Sequence, residues 1–291
     1  MLPISRILVP VDFSDRCLGM MPYVKAVAEA YRAEVTLVHI VNPFYGIPPT
    51  ALSGPALIHV SQGILAEKVK ELEGFAVSEL AGLKVERSVY EGDTVSQIVE
   101  FTRVERIGLI AMPTHGYGVL RRFLIDSVTS HVLHDVSCPV LTGVHIEERP
   151  TPRSVSFTNL LCAVDLGQQS QETLEWATRF AADVHARLGI VHVIPVMKDR
   201  AALLLSPEVE AEMRGKVQTE IGKLQTAAGA ESATVYIETG EAAKTVAAVA
   251  KAAGADLLII GRGIVLEEET GRLRTNAYAI IRQSPCPVIS I

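Results

Sequence analysis

The sequence predicts an α/β protein made of two tandem, doubly wound parallel sheets of five strands each. Three observations predict it. Five segments recur in the same order in the two halves of the 291-residue chain. The strand-like segments are short and apolar on both faces, the pattern of parallel strands covered by helices on either side. Helical periodicity fills the intervals between them.

The repeat is read first, because it sets the architecture. Ser5–Ser14, SRILVPVDFS, aligns with Thr158–Gly167, TNLLCAVDLG, and places Asp12 on Asp165 at an offset of 153. VTLVHIV aligns with LGIVHVI, which places His39 on His192 at the same offset. Further on, Gly92 falls on Gly240 and Cys138 on Cys286, both at 148, so the second copy lacks five residues in between. The copies occupy residues 1–147 and 155–291. The stretch His145–Ser156 joins them, and its two prolines and several charges between apolar runs read as a linker.

The elements follow in order. Ile7–Val11 is a wholly apolar first strand. Ser14 caps a helix whose apolar stripe is Tyr23, Val24, Val27, Ala28 and Tyr31. Val35–Val41 is the second strand. A long connection, Asn42–Pro55, then leads into a helix that runs to about Leu80. Val85–Tyr90 is more polar and belongs nearer a sheet edge. Asp93 caps a third helix with the stripe Val95, Ile98, Val99 and Thr102, which the second copy repeats as Val246, Val249, Ala250 and Ala253. Ile107–Met112 and Val140–Val144 complete five strands, with four helices per copy. Strands alternating with helices give right-handed βαβ crossovers. Such sheets bind ligands beyond the carboxyl ends of their strands. The positions there are Asp12, Val41 and Met112 in the first copy, and Asp165, Ile194 and Gly261 in the second.

Composition excludes several classes of function. A formal net charge of -6, from 27 basic and 33 acidic side chains, gives no electrostatic grip on nucleic acid or an anionic membrane. No apolar run reaches the roughly 20 residues that cross a bilayer. Asp12, Asp15 and Arg16 interrupt the first apolar run, so no signal peptide is read and a cytoplasmic location is expected. Cys17, Cys138, Cys162 and Cys286 form no C-x-x-C pair and read as reduced, structural thiols. The CPV segments at Cys138 and Cys286 read as buried strand entries.

The opening ILVPVDFS and the segment Met112–Leu141, MPTHGYGVLRRFLIDSVTSHVLHDVSCPVL, resemble the universal stress protein family, and the resemblance extends over both copies. It implies a Rossmann-like, adenine-nucleotide alpha-hydrolase-like sheet of order 3-2-1-4-5, and dimerisation, often through the last strand. It implies ATP or AMP as the candidate ligand, since one branch of the family binds them. That branch carries Gly-x2-Gly-x9-Gly-Ser/Thr after the fourth strand. Glycines there let the backbone approach phosphate, and amides at a helix start point at the anion.

This chain departs from that motif. The four positions hold Pro113, Gly116, Asp126 and Ser127 in the first copy, and Gly261, Ile264, Arg274 and Thr275 in the second. Asp126 puts a carboxylate where phosphate rests. Two like unit charges 4 Å apart repel by about 4 kcal/mol at an effective dielectric near 20. Arg121 and Arg122 in the same loop oppose that repulsion, whereas Glu267, Glu268 and Glu269 in the second copy oppose an anion. The resemblance therefore implies degenerate sites. The first copy is the better placed, through Asp12, Ile40, Val41, Met112, His115, Gly116 and Ser127; in the second, Asp165, Gly261 and Thr275 hold the matching places.

Other constellations are weaker. His131, His134 and Cys138 are spaced for one helical face, but Pro139 ends that face, so no metal site is read. His39 and His192 sit inside strands and read as structural. Gly261–Gly263 follows a fourth strand and is too short for a dinucleotide fingerprint. No G-x-x-x-x-G-K-[ST] and no G-x-S-x-G occurs. The expected function is a non-enzymatic stress-response module with degenerate sites. The alternatives are a weak ATP hydrolase drafting Asp126 or Glu267–Glu269, and a scaffold whose pockets are filled by Pro113, Ile264 and Arg274. The expected assembly is an intramolecular pseudo-dimer through the two fifth strands, with a homodimer as a further level.

Overall fold

The computed structural model describes residues 3–42, 55–114, 127–143, 154–195, 207–262 and 275–291. The chain divides into two compact units, the first running through Leu141 and the second carrying Ser156–Ile291. Each is an α/β sheet with helices alternating between strands.

In the first unit the elements are β1 (Arg6–Pro10), α1 (Asp15–Tyr31), β2 (Glu34–Val41), α2 (Pro55–Gly74), β3 (Val85–Glu91), α3 (Thr94–Val104), β4 (Leu109–Pro113), α4 (Ser127–Asp135) and β5 (Val140–Gly143). The second unit repeats them as β6 (Asn159–Ala163), α5 (Ser170–Asp183), β7 (Arg187–Pro195), α6 (Pro207–Ala228), β8 (Thr234–Gly240), α7 (Ala242–Ala252), β9 (Leu257–Ile260), α8 (Thr275–Gln283) and β10 (Val288–Ser290). Strand order is β3-β2-β1-β4-β5 in one and β8-β7-β6-β9-β10 in the other. Both are the 3-2-1-4-5 arrangement, with β1 and β6 each paired in parallel to two neighbours.

Burial explains the order. Ile7, Leu8 and Val9 of β1 are fully buried, as are Leu257, Leu258 and Ile259 of β9. The polar strand β3 lies at the outside of its sheet, with only partial burial along its length. Register locates the five-residue deletion. Ile40 pairs with Tyr90, and Val193 pairs with Glu238, so the offset of 153 along β2 becomes 148 along β3. The deletion therefore lies in the β2–β3 connection.

Both expected caps form. The Ser14 hydroxyl accepts from the Cys17 amide at 3.1 Å, and the Asp93 carboxylate accepts from the Ser96 amide at 2.9 Å. Each such cap contributes about 1 kcal/mol. The expectation for α2 needs correction: the helix stops at Gly74, six residues before Leu80. Ala76 takes a left-handed conformation at φ 54, which an α-helix does not contain. Arg87 from β3 then donates to the carbonyls of Leu72 and Phe75, at 3.0 and 3.1 Å, and satisfies the acceptors that the helix end exposes. Leu80 remains buried, but through a turn.

Candidate functional site

The turn after the first strand has the same build in both units. Asp12 Oδ1 accepts from the Ser14 amide at 3.0 Å and from the Ser14 hydroxyl at 2.6 Å. Asp165 Oδ1 accepts from the Gly167 amide at 2.8 Å and from the Ser170 hydroxyl at 3.0 Å. Each carboxylate thus ties the end of a strand to the start of a helix. The residue that follows is left-handed in both, Phe13 at φ 63 and Leu166 at φ 60. Neither is glycine, so both units hold the same strained backbone.

Behind the turn sits the strand-two histidine. His39 Nδ1 donates to the Val11 carbonyl at 2.7 Å, and His192 Nδ1 to the Val164 carbonyl at 2.9 Å. Both bridge the second strand to the turn, the structural role read from sequence. Burial holds the His39 imidazole below its ordinary pKa, and the charge of Lys68 acts in the same direction, against the Val11 bond, Glu71 and Asp12.

Around this shared frame the units differ. In the first, the Phe13 ring packs on His39 with centroids 4.6 Å apart, and meets Phe75 edge-on at 5.6 Å. Lys68 Nζ lies 4.9 Å from the Phe13 centroid, a cation–π distance. In the second, a cavity of about 410 Å³ opens at the carboxyl ends of β6, β7 and β9. Asp165, Gln169, Thr173, His192, Gly261 and Arg262 border it, and α7 and α8 add an apolar wall from Val246 and Ile280. This is the volume and mixed lining of a small-ligand site.

Gly261 is needed there for space. A Cβ on it would stand 2.9 Å from Thr173 Oγ1, so the end of β9 approaches α5 more closely than any side chain permits. In the first unit Pro113 holds the matching position, and its carbonyl accepts from the Thr129 hydroxyl at 3.1 Å.

Of the site residues read from sequence, Asp165 and Gly261 meet at the cavity. Asp12 holds the equivalent turn. Val41 and Met112 are buried at their strand ends, Ile40 partly so. His115 and Gly116 lie outside the described residues, as do the side chains of Ser127 and Thr275 and the residues Asp126, Ile264, Arg274 and Glu267–Glu269. Sequence reasoning missed Arg262, Gln169 and Thr173. Arg262 is 8% exposed and lines the cavity. A charged residue directly after a wholly apolar strand was the available signal.

The remaining clusters have structural roles. Cys17, Cys138, Cys162 and Cys286 are all buried and unpaired with one another. Burial pushes the Cys162 thiol up to about 12 and Cys286 to about 11, and it raises Cys17 as well, so these thiols stay protonated at neutral pH. Helix α4 ends at Asp135, three residues before Cys138, and His134 Nδ1 lies 2.6 Å from Asp135 Oδ1. Among the described residues, no three His, Cys, Asp or Glu side chains converge as metal ligands. No described helix is long and apolar enough to cross a membrane.

Comparison with known proteins agrees with this architecture. The family described as "Universal stress protein family" matches residues 3–142 and again 156–291. A universal stress protein of Methanocaldococcus jannaschii is 33% identical over 142 residues, which is 47% of this chain and 80% of that protein. A second from the same organism is 27% identical over 150 residues, 47% of this chain and 93% of that protein. The crystal structure of a universal stress protein from Archaeoglobus fulgidus superimposes with a TM-score of 0.70 at 23% identity, covering 99% of this chain and 98% of that one. At that identity the likeness is one of fold.

Proposed function

Because the chain belongs to the universal stress protein family, twice over in tandem, we propose that it is a non-enzymatic stress-response module whose second unit binds an adenine nucleotide. The observation that carries the reading is the cavity of about 410 Å³ at the carboxyl ends of β6, β7 and β9. It lies at the switch point of a doubly wound sheet, where such folds bind ligands. Asp165 stands at its rim to meet ribose hydroxyls, and Gly261 leaves the strand end bare for close approach.

The sequence favoured the first unit, and the cavity shifts the weight to the second. A filled first site has its own support, since Phe13 packs against His39 and Phe75 beside the matching turn. Binding without turnover fits the chemistry at hand. Asp165 and the Ser170 hydroxyl hold each other, and the His192 Nδ1 proton is given to a backbone carbonyl. These groups position the turn and are not arranged as nucleophile and base.

Isothermal titration of the full chain with ATP, AMP and cyclic AMP tests the reading. Saturable micromolar binding of at least one is expected. Asp165→Asn keeps the acceptor that holds the turn but removes the charge. It should weaken binding by about tenfold or more, because a hydrogen bond to a charged group contributes about 1.5–3 kcal/mol. Asp12→Asn should leave the affinity unchanged. Absence of saturable heat with all three ligands at millimolar concentration overturns the binding, and phosphate release from ATP that tracks Asp165 overturns the non-enzymatic role.

A further inference from the structure

Resting on the nucleotide reading of the same cavity, we infer that Arg262 is the anion anchor of the second unit. It takes the phosphate of the ligand through a side-chain guanidinium, in place of a glycine-rich loop. Arg262 lines the cavity and is only 8% exposed. A guanidinium keeps its charge at any pH a protein meets. Placing that charge in the wall of a largely apolar cavity is costly unless the arrangement supplies compensation. It also makes the cavity selective, since an anion that enters gains charge-assisted hydrogen bonds from a planar donor fork suited to phosphate.

The backbone fixes the origin of the side chain. The Arg262 amide donates to the Ile291 carbonyl at 2.8 Å, so the residue continues the register between β9 and the chain end. Gly261 before it is pinned against Thr173. The same position in the first unit, 148 residues earlier, is Thr114, neutral and 1% exposed. One unit therefore lines its strand-four end with a cation where the other lines it with a hydroxyl. Asp165 and Arg262 border one space and carry opposite charges. That pairing matches a ligand with hydroxyl donors at one part and an anion at another, a nucleoside phosphate rather than a nucleoside.

The test compares adenosine with AMP by titration calorimetry on the full chain and two variants. The native protein should bind AMP at least tenfold more tightly than adenosine. Arg262→Met, similar in length and uncharged, should abolish that margin while adenosine affinity stays constant. Arg262→Lys keeps the charge without the fork, and should keep AMP ahead by a smaller margin. It also supplies the comparison if the Met variant does not fold. Equal native affinities for the two ligands overturn the inference, and so does an AMP preference that survives in Arg262→Met. A parallel loss of both ligands in a folded Met variant assigns Arg262 to structure and also overturns it. Failure of native protein to bind adenosine or AMP removes the nucleotide reading itself, an outcome the adenosine arm separates from the others.

Discussion

His39 shows how one side chain carries both a structural duty and a pH dependence. Its Nδ1 proton is committed to Val11, and its ring lies under Phe13. Protonation must therefore occur at the other nitrogen, in a half-buried setting faced by Lys68, Glu71, Asp12 and the Phe13 ring. Burial lowers its pKa below the ordinary 6.5, so the folded unit takes up this proton less readily than the unfolded chain. The contribution of His39 to stability is complete above that ordinary value and declines as pH falls through the lowered one. The first unit should thus lose stability from about pH 7 to about pH 5, and His39→Gln should flatten that loss in urea titrations followed by circular dichroism. At this scale the sequence was legible where the repeat spoke. Asp12 with Asp165, and His39 with His192, stand out as paired positions. The left-handed Phe13 and Leu166 were not legible, because neither residue type advertises a positive φ. Nor was Arg262, whose burial depends on how β9, β10 and α8 enclose it.

Helix ends are where the two units compare most directly. Helices α3 and α7 are both followed by a left-handed residue, Arg106 at φ 51 in the first unit and Gly254 at φ 62 in the second. The next amide closes the turn in each, from Ile107 to the Thr102 carbonyl and from Ala255 to the Ala250 carbonyl. Glycine adopts that conformation freely, whereas an L-residue pays about 1–2 kcal/mol, partly offset by a stiffer unfolded chain. A Cβ at Gly254 would meet nothing within 4 Å, so Gly254→Ala tests conformation alone. It should destabilise the second unit by about 1 kcal/mol, and Arg106→Gly should stabilise the first by about 0.5 kcal/mol, both read from denaturant midpoints. Strand positions were legible because parallel strands declare themselves through unbroken apolar runs. The end of α2 was not, since its apolar spacing continues to Leu80 while Ala76 turns the chain the other way.

For the molecule as a whole, two compact units with separate cores predict two unfolding steps. The sole tryptophan, Trp176, lies in α5 of the second unit, stacked on Phe180 with centroids 5.0 Å apart. Its fluorescence reports that unit alone, while circular dichroism reports both. Adenine nucleotide at about 100 times its dissociation constant should stabilise the tryptophan-reported transition by about 2.7 kcal/mol and leave the other unchanged. A shift of both transitions, or only of the one silent in fluorescence, would place the ligand elsewhere. The tandem α/β plan was legible because five matched segments fix order and period together. The cavity was not, because an empty space is a property of side chains from five separate elements and has no signature along the chain.

The two copies differ in length only between the second and third strands, by five residues, while every inner strand keeps its partners. Closing a slightly longer or shorter loop changes chain entropy by only a fraction of a kcal/mol. That span is therefore the natural port of this architecture: foreign peptide grafted there should leave both sheets, and the ligand-facing ends of their central strands, as they were.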